Sequence, residues 1–240
     1  MIRIGTSGWS YKHWAGSYYP DGLKQSEYLS YYSRDFNAAE INTSFYRLPK
    51  KETIAGWSKQ VDDDFVFCPK MSRYLSHMKK LHDATEPVDR FCNLFEDIKS
   101  RLGPVLIQLP ENVRYHQELT EEFYKILRVK KDFSFALEVR HDSWFCEESI
   151  ALMKHYDICL VMAHSEKFPY LEAITCKNVY LRFHGPGALY SSSYSDEFLE
   201  FYAAKIKKWE REGYCVWVFF NNDVNGYALE NAKKLIGMTS

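Results

Sequence analysis

Along this chain, short apolar runs that stop abruptly at polar or ionisable groups alternate with longer stretches whose apolar positions fall three and four apart. The first pattern predicts buried strands and the second predicts amphipathic helices. Eight runs read as strands: Ile2 to Gly5, Ala38 to Ile41, Phe65 to Pro69, Val105 to Leu109, the run opening at Phe135, Ile158 to Met162, Val179 to Phe183 and Cys215 to Phe220. Between them Ser26 reads as a helix cap with Leu29 and Tyr32 inward, and Thr53 as the cap of a helix burying Ile54, Trp57 and Val61. Pro87 opens a helix carrying Val88, Phe91, Phe95, Ile98 and Leu102, and Thr120 caps one with Phe123, Ile126 and Leu127 inward. Further helices are predicted near Glu148 to His155, through Phe198, Tyr202, Ile206 and Trp209, and from about Tyr227 to Ile236. The sixth and seventh strands are so close that the helix between them is short or missing.

Strands alternating with helices, without a linker or a low-complexity segment, predict a parallel sheet, and a count of eight predicts closure. The expectation is therefore an α/β protein, a single (β/α)8 TIM-like barrel spanning residues 1–240 as one domain. The rival doubly wound sheet lacks its fingerprint, since Gly5-Thr6-Ser7-Gly8-Trp9 does not have the G-x-G-x-x-G spacing.

Composition changes this picture in two places. The aromatic share of 17%, with 18 Tyr and 6 Trp, exceeds what a core needs, because each buried Tyr or Trp must also satisfy a polar atom. Some of these rings are expected to line a pocket. A net charge of −1 excludes a broad basic surface for duplex nucleic acid but leaves a local groove open. The loop after the third strand, with Lys70, Arg73, His77, Lys79, Lys80 and His82, is a candidate. The six cysteines are scattered without a C-x-x-C pair, which fits reduced thiols in a cytoplasmic protein. A strand-like start and the lack of an apolar run near ~18 residues lead us to expect neither a leader nor a membrane span.

In a parallel barrel the carboxyl ends of the strands converge, so residues far apart in sequence become neighbours. Taken in order, those ends supply Thr6 and Ser7, Glu40 and Asn42, Lys70, Gln108, Glu138 and Arg140, His164, Arg182 and His184, then Asn221 and Asp223. One such end is commonly a salt bridge; this many argue for a site. Residues two apart on a strand share a face, so Glu138 points with Arg140, and Arg182 with His184. A buried Glu138 needs a cation, for which Arg140 and Lys70 are candidates.

Glu40 and Glu138 are candidates for acid/base work, Lys70 for amine chemistry or charge neutralisation, and His184 for polarising a ligand. Arg140, Arg182, Asn42, Gln108, Trp9, Tyr11 and His77 are expected to bind the ligand, together with Gly185, Asn221, Asn222 and Asp223 in the loops after strands seven and eight. Glycine-rich loops there leave amides free for a phosphate. Lys70 and two arginines close by would repel a divalent cation, so no metal and no cofactor is expected.

The motifs GTSGWSY, EINTSFYRLP, FCPKMSRYLSH, GPVLIQLP, ALEVRHDSW, YLRFHG and VFFNND, in this order from Gly5 to about Ala232, resemble the YecE-like family, a domain of unknown function numbered seventy-two. The resemblance implies a TIM-like barrel with these motifs at its catalytic face. It brings no accepted reaction, so no residue roles are carried over. Likeness to sugar isomerases and abasic-site endonucleases is one of architecture alone, and their His and Asp clusters are not evident here.

The leading expectation is a metal-independent enzyme of hydrolase or lyase type acting on a small anionic, phosphate-bearing or sugar-like ligand. One alternative is a nucleic-acid-binding protein or nuclease in which Trp9, Trp14 and Tyr74 stack on a single-stranded or extruded segment. Another is a barrel that binds a ligand without turning it over. The oligomeric state is not legible.

Overall fold

The computed structural model describes residues 1–187 and 189–240. The strands are β1 Ile2–Thr6, β2 Ala38–Ile41, β3 Val66–Pro69, β4 Val105–Gln108, β5 Phe135–Glu138, β6 Cys159–His164, β7 Asn178–Phe183 and β8 Cys215–Phe220. The α-helices are α1 Tyr28–Tyr32, α2 Thr43–Tyr46, α3 Lys51–Ser58, α4 Thr85–Phe95, α5 Gln117–Arg128, α6 Glu147–Tyr156, α7 Asp196–Arg211 and α8 Tyr227–Thr239. Among the described residues no helix stands between β6 and β7, and no helix is long and apolar enough to cross a membrane.

The closed (β/α)8 barrel expected from the strand count is not formed. The strands pair as a curled six-stranded parallel sheet, in the order β1-β8-β7-β6-β5-β4, and a separate two-stranded sheet, β2-β3. At the seam between β3 and β4 the pairing dwindles to isolated bridges, Phe67 with Leu102 and Lys70 with Leu106. At the seam between β1 and β2, side chains take the place of a ladder. The Tyr32 hydroxyl accepts from the Thr6 amide at 2.8 Å and donates to the Ala38 carbonyl at 3.1 Å. The Asn37 side chain accepts from the Ile4 amide at 3.1 Å. A Cβ at Gly5 would lie 2.0 Å from the Ala38 carbonyl oxygen, so only glycine lets the two strands approach this closely.

Four helix starts also differ from expectation: Ser26 lies in a 3-10 turn over Gln25–Glu27 ahead of α1, and Pro87 is the third residue of α4. Thr53 and Thr120 lie inside α3 and α5, which are preceded by Lys50 and His116. The apolar stripe from Val88 to Leu102 is not one helix: α4 ends at Phe95 and a 3-10 turn follows, with Ile98 at φ −120°.

Strand alternation sorts the core into two layers. One set of residues, including Ile4, Ala39, Phe67, Ile107, Leu137, Leu181 and Val218, packs with the helices. The alternate set, Ala38, Cys68, Leu106, Ala136, Val161, Tyr180, Trp217 and Phe219 among them, forms a smaller cluster of its own. Two residues further along the strands, this second set gives way to Glu40, Lys70, Gln108, Glu138 and Arg182, all buried. The polar residues thus form the next layer above an apolar floor, at the carboxyl ends of the strands.

Candidate active site

Three of these buried groups form a closed ion network. Arg182 holds Glu40 with a fork, Nε to Oε1 at 2.8 Å and Nη2 to Oε2 at 3.0 Å, and its Nη1 donates to Glu138 Oε2. The Tyr180 hydroxyl, two residues before Arg182 on β7, donates to Glu40 at 2.8 Å, and Ser7 Oγ donates to its other oxygen. Arg140 grips Glu138 Oε1 through Nε at 2.8 Å and Nη2 at 2.7 Å, with its guanidinium 4.0 Å from the centre of the Phe168 ring. Burial alone would push the Glu138 carboxyl up, but Arg182, Arg140 and His184 outweigh it and hold the group well below the usual carboxylate range. Glu40 thereby has a donor at each of its four acceptor sites, whereas Glu138 Oε2 is held by Arg182 alone.

His184 stands beside this network without completing it. Its Nδ1 faces Asn221 Nδ2 at 3.1 Å, an amide donor, which places the ring proton on Nε2. That nitrogen lies 3.7 Å from Glu138 Oε2, beyond hydrogen-bond distance. Burial lowers the His184 pKa, with Glu138 opposing.

Lys70 is different. It comes from the end of β3 and is 8% exposed, yet no carboxylate lies within ion-pair distance among the described residues. Its Nζ donates to Gln108 Oε1 at 2.8 Å and sits 4.3 Å from the centre of the Phe45 ring. Burial and the neighbouring Arg182 charge push its pKa down to about 7, with Glu138 and Glu40 opposing. His77, on a π-helical turn over Tyr74–Met78, is pushed down to about 4 by burial and by the Lys70 charge. Of the two candidate cations for Glu138, Arg140 pairs with it and Lys70 does not, and Arg182 is the second partner.

Above Lys70 opens a cavity of about 850 Å³. Its walls include Trp9, Tyr11, Glu40, Asn42, Phe45, Trp57, His77, Gln108, Tyr190, Asn221 and Asp223. Trp9 and Trp57 meet edge to face at 5.4 Å. The Oδ1 of Asn42 is buried and has no hydrogen-bond partner among the described residues, while its Nδ2 donates to the Ser7 carbonyl at 3.0 Å. Burial raises the pKa of Asp223, and burial followed by the Asp223 charge raises that of Tyr11.

Of the residues singled out from sequence, Trp9, Tyr11, Glu40, Asn42, Lys70, His77, Gln108, Asn221 and Asp223 line the cavity. Glu138, Arg140, Arg182 and His184 form the support beneath and beside it. Gly185 and Asn222 do not line it. The Gly185 amide donates to the Tyr194 hydroxyl at 2.9 Å, and buried Asn222 donates to the Ser192 carbonyl and to Asn231. Trp14 is fully buried and so has no free face for stacking. Sequence reasoning missed Phe45, Trp57, Tyr180 and Tyr190. Tyr180 was accessible in principle, since it alternates with Arg182 on one strand; the others are brought in by helices and loops whose approach no spacing reveals.

Among the described residues, no group of three or more His, Cys, Asp or Glu side chains is arranged to hold a metal ion. A family model described as "Protein of unknown function DUF72" matches residues 3–240. The UPF0759 protein YecE of Escherichia coli is 32% identical over 147 residues, which cover 61% of this chain and 51% of that protein. This chain thus spans about half the length of the E. coli relative it matches. The UPF0759 protein YunF of Bacillus subtilis is 26% identical across 98% of this chain and 94% of its own. A solved DUF72 family protein of Thermotoga maritima has a TM-score of 0.87 at 28% identity, covering 99% of this chain and 98% of that one. A second, from Enterococcus faecalis, has a TM-score of 0.84 at 22% identity over 100% and 95% of the two chains, a likeness of fold alone.

Proposed function

This chain belongs to the DUF72 family, and on that premise we propose that it is an enzyme acting on a small polar ligand, sugar-like or phosphate-bearing, held in the cavity above Lys70. The observation that carries the reading is Lys70 itself, a buried amine facing a cavity without a carboxylate partner. A lysine kept only for stability would be paired, because burying an unpaired charge is costly. The rings of Trp9 and Trp57 offer apolar faces to a sugar, and Asn42, Asn221 and Asp223 offer hydrogen-bonding groups to its hydroxyls. The buried Oδ1 of Asn42 is an acceptor awaiting a donor. In this reading Glu40, Arg182 and Glu138 are a fixed platform that positions the site. The four donors on Glu40 and the two arginines on Glu138 disfavour the acid/base role that the sequence suggests for the two carboxylates.

Calorimetric titration against a panel of sugars and sugar phosphates tests this. A binder is expected whose affinity falls about tenfold in Asn42→Leu, the equivalent of about 1.4 kcal/mol for one lost hydrogen bond. A panel without a binder, or a binder indifferent to Asn42 and Lys70, would contradict the reading. Single-stranded nucleic acid is a second reading, favoured by exposed Tyr46 on the cavity wall and by exposed Tyr74, with Lys79 Nζ 5.6 Å from its ring centre. Binding of that kind weakens steeply with salt; affinity that is flat with salt removes it.

A further inference from the structure

We infer that Lys70 forms an imine with the open-chain carbonyl group of a polyhydroxylated substrate, an inference that rests on the small-ligand reading of the same cavity. Three geometric facts lead to it. The amine reaches the cavity from a buried strand end, and its hydrogen bond is a single donation to Gln108 Oε1 at 2.8 Å. A neutral amine can make that donation while keeping its lone pair free. The nearest carboxylates, Glu40 and Glu138, are bound to arginines and do not neutralise an ammonium by contact. The underside of the amine rests on the Phe45 ring, an apolar surface that replaces water. Desolvation together with a neighbouring cation is the arrangement that makes a lysine nucleophilic near neutral pH. The pKa of about 7 agrees with this.

The step balances without a co-reactant. The Nζ lone pair attacks the carbonyl carbon and forms a C–N bond, while the carbonyl π pair moves to oxygen, which takes a proton. The nitrogen gives up one proton to that oxygen, and a second proton from solvent lets the oxygen leave as water while the nitrogen lone pair forms the second C–N bond. The product is a protonated imine on Lys70, which draws electrons from the adjacent carbon and eases loss of a proton or cleavage of a C–C bond there. Imine formation of this kind needs a free aldehyde or ketone, so the substrate class is an aldose, a ketose or a keto- or aldehyde-bearing sugar acid in its open form. The same carbonyl chemistry comes from phosphorylated and unphosphorylated compounds, and the experiment separates them.

The test incubates the protein with dihydroxyacetone or with dihydroxyacetone phosphate, each with cyanoborohydride, followed by intact-mass measurement and peptide mapping. The expected result is one adduct, of the probe's mass less an oxygen atom, on the peptide carrying Lys70 and at least tenfold faster than on any exposed lysine. Preference for the phosphate ester would identify a phosphate site, and equal labelling a plain sugar site; either supports the imine. Lys70→Arg keeps the charge and should abolish the adduct. If that variant does not fold, the wild-type labelling rate against pH substitutes for it, with Lys70 saturating at lower pH than surface lysines. Labelling spread evenly over exposed lysines overturns the inference. Calorimetric binding of either probe without an adduct overturns the imine but leaves the ligand reading standing, whereas neither binding nor adduct overturns both.

Discussion

The two sides of the buried polar layer are built from the same kinds of residue and differ in how completely they are paired. On one side Arg182, Glu40, Glu138 and Arg140 satisfy one another with forked, charge-assisted hydrogen bonds. On the other, Lys70 has an amide oxygen and an aromatic ring. Pairing, not burial, separates scaffold from chemistry here. A carboxylate held by two arginines, as Glu138 is, stays well below the usual carboxylate range, whereas an amine pushed to about 7 is poised to gain or lose a proton.

The largest effect is expected on the paired side. Arg182→Met would leave Glu40 without its fork and Glu138 with Arg140 alone, and should cost about 3–5 kcal/mol in denaturant unfolding. A loss under about 1 kcal/mol would mean that the network relaxes freely and the contrast is wrong. Glu138→Gln sharpens the same point: lost stability together with lost turnover marks it as scaffold, while lost turnover alone restores it as a catalytic acid.

Lys70→Met should act in the opposite direction. The folded-state pKa of Lys70 lies below the ordinary lysine value of 10.5, so between about pH 7 and 10.5 the unfolded chain binds more protons and stability rises with pH. Below about pH 7 the full penalty applies. Removing the amine should therefore flatten that slope and stabilise the protein at pH 6 by a few kcal/mol at most, less what Gln108 loses as its partner. Thermal unfolding against pH reads this directly, and an unchanged slope would contradict it.

The seam between β1 and β2 gives a middle-sized effect. Tyr32→Phe removes the hydroxyl that bridges Thr6 and Ala38, and should cost about 1–3 kcal/mol through two orphaned backbone groups. The smallest effect is expected under the amine. Phe45→Leu removes a ring contact worth about 0.5–1 kcal/mol, and should lower the Lys70 pKa by about half a unit without altering the fold.

Much of this layout was legible in the sequence, for a definite reason. Alternation along strands places every second residue on one face, so Glu40, Lys70, Gln108, Glu138 and Arg182 could be grouped before any coordinates. What alternation does not encode is which neighbour completes each group. Glu138 is open in sequence to Lys70 or Arg140, and the structure gives Oε1 to the Arg140 fork and Oε2 to a single donation from Arg182. The sheet's incompleteness was hidden for a similar reason. Strand count says nothing of Tyr32 and Asn37, whose side chains stand where a ladder between β1 and β2 would run. Spacing also leaves the glycine amides of the loop after β7 free for a ligand, whereas in the structure Gly185 and Gly187 donate to Tyr194 and Ser192 within the loop itself.

The contrast between the two sides turns on the charge state of one amine, and that can be followed in the intact protein. Carbon-13 labelling at the lysine Cε, with Lys70→Arg to assign its resonance, gives the Lys70 titration curve by NMR. A midpoint near pH 7, well apart from those of the exposed lysines, is the predicted result. A midpoint near 10.5 would show a lysine paired or solvated like any other, and would contradict the account.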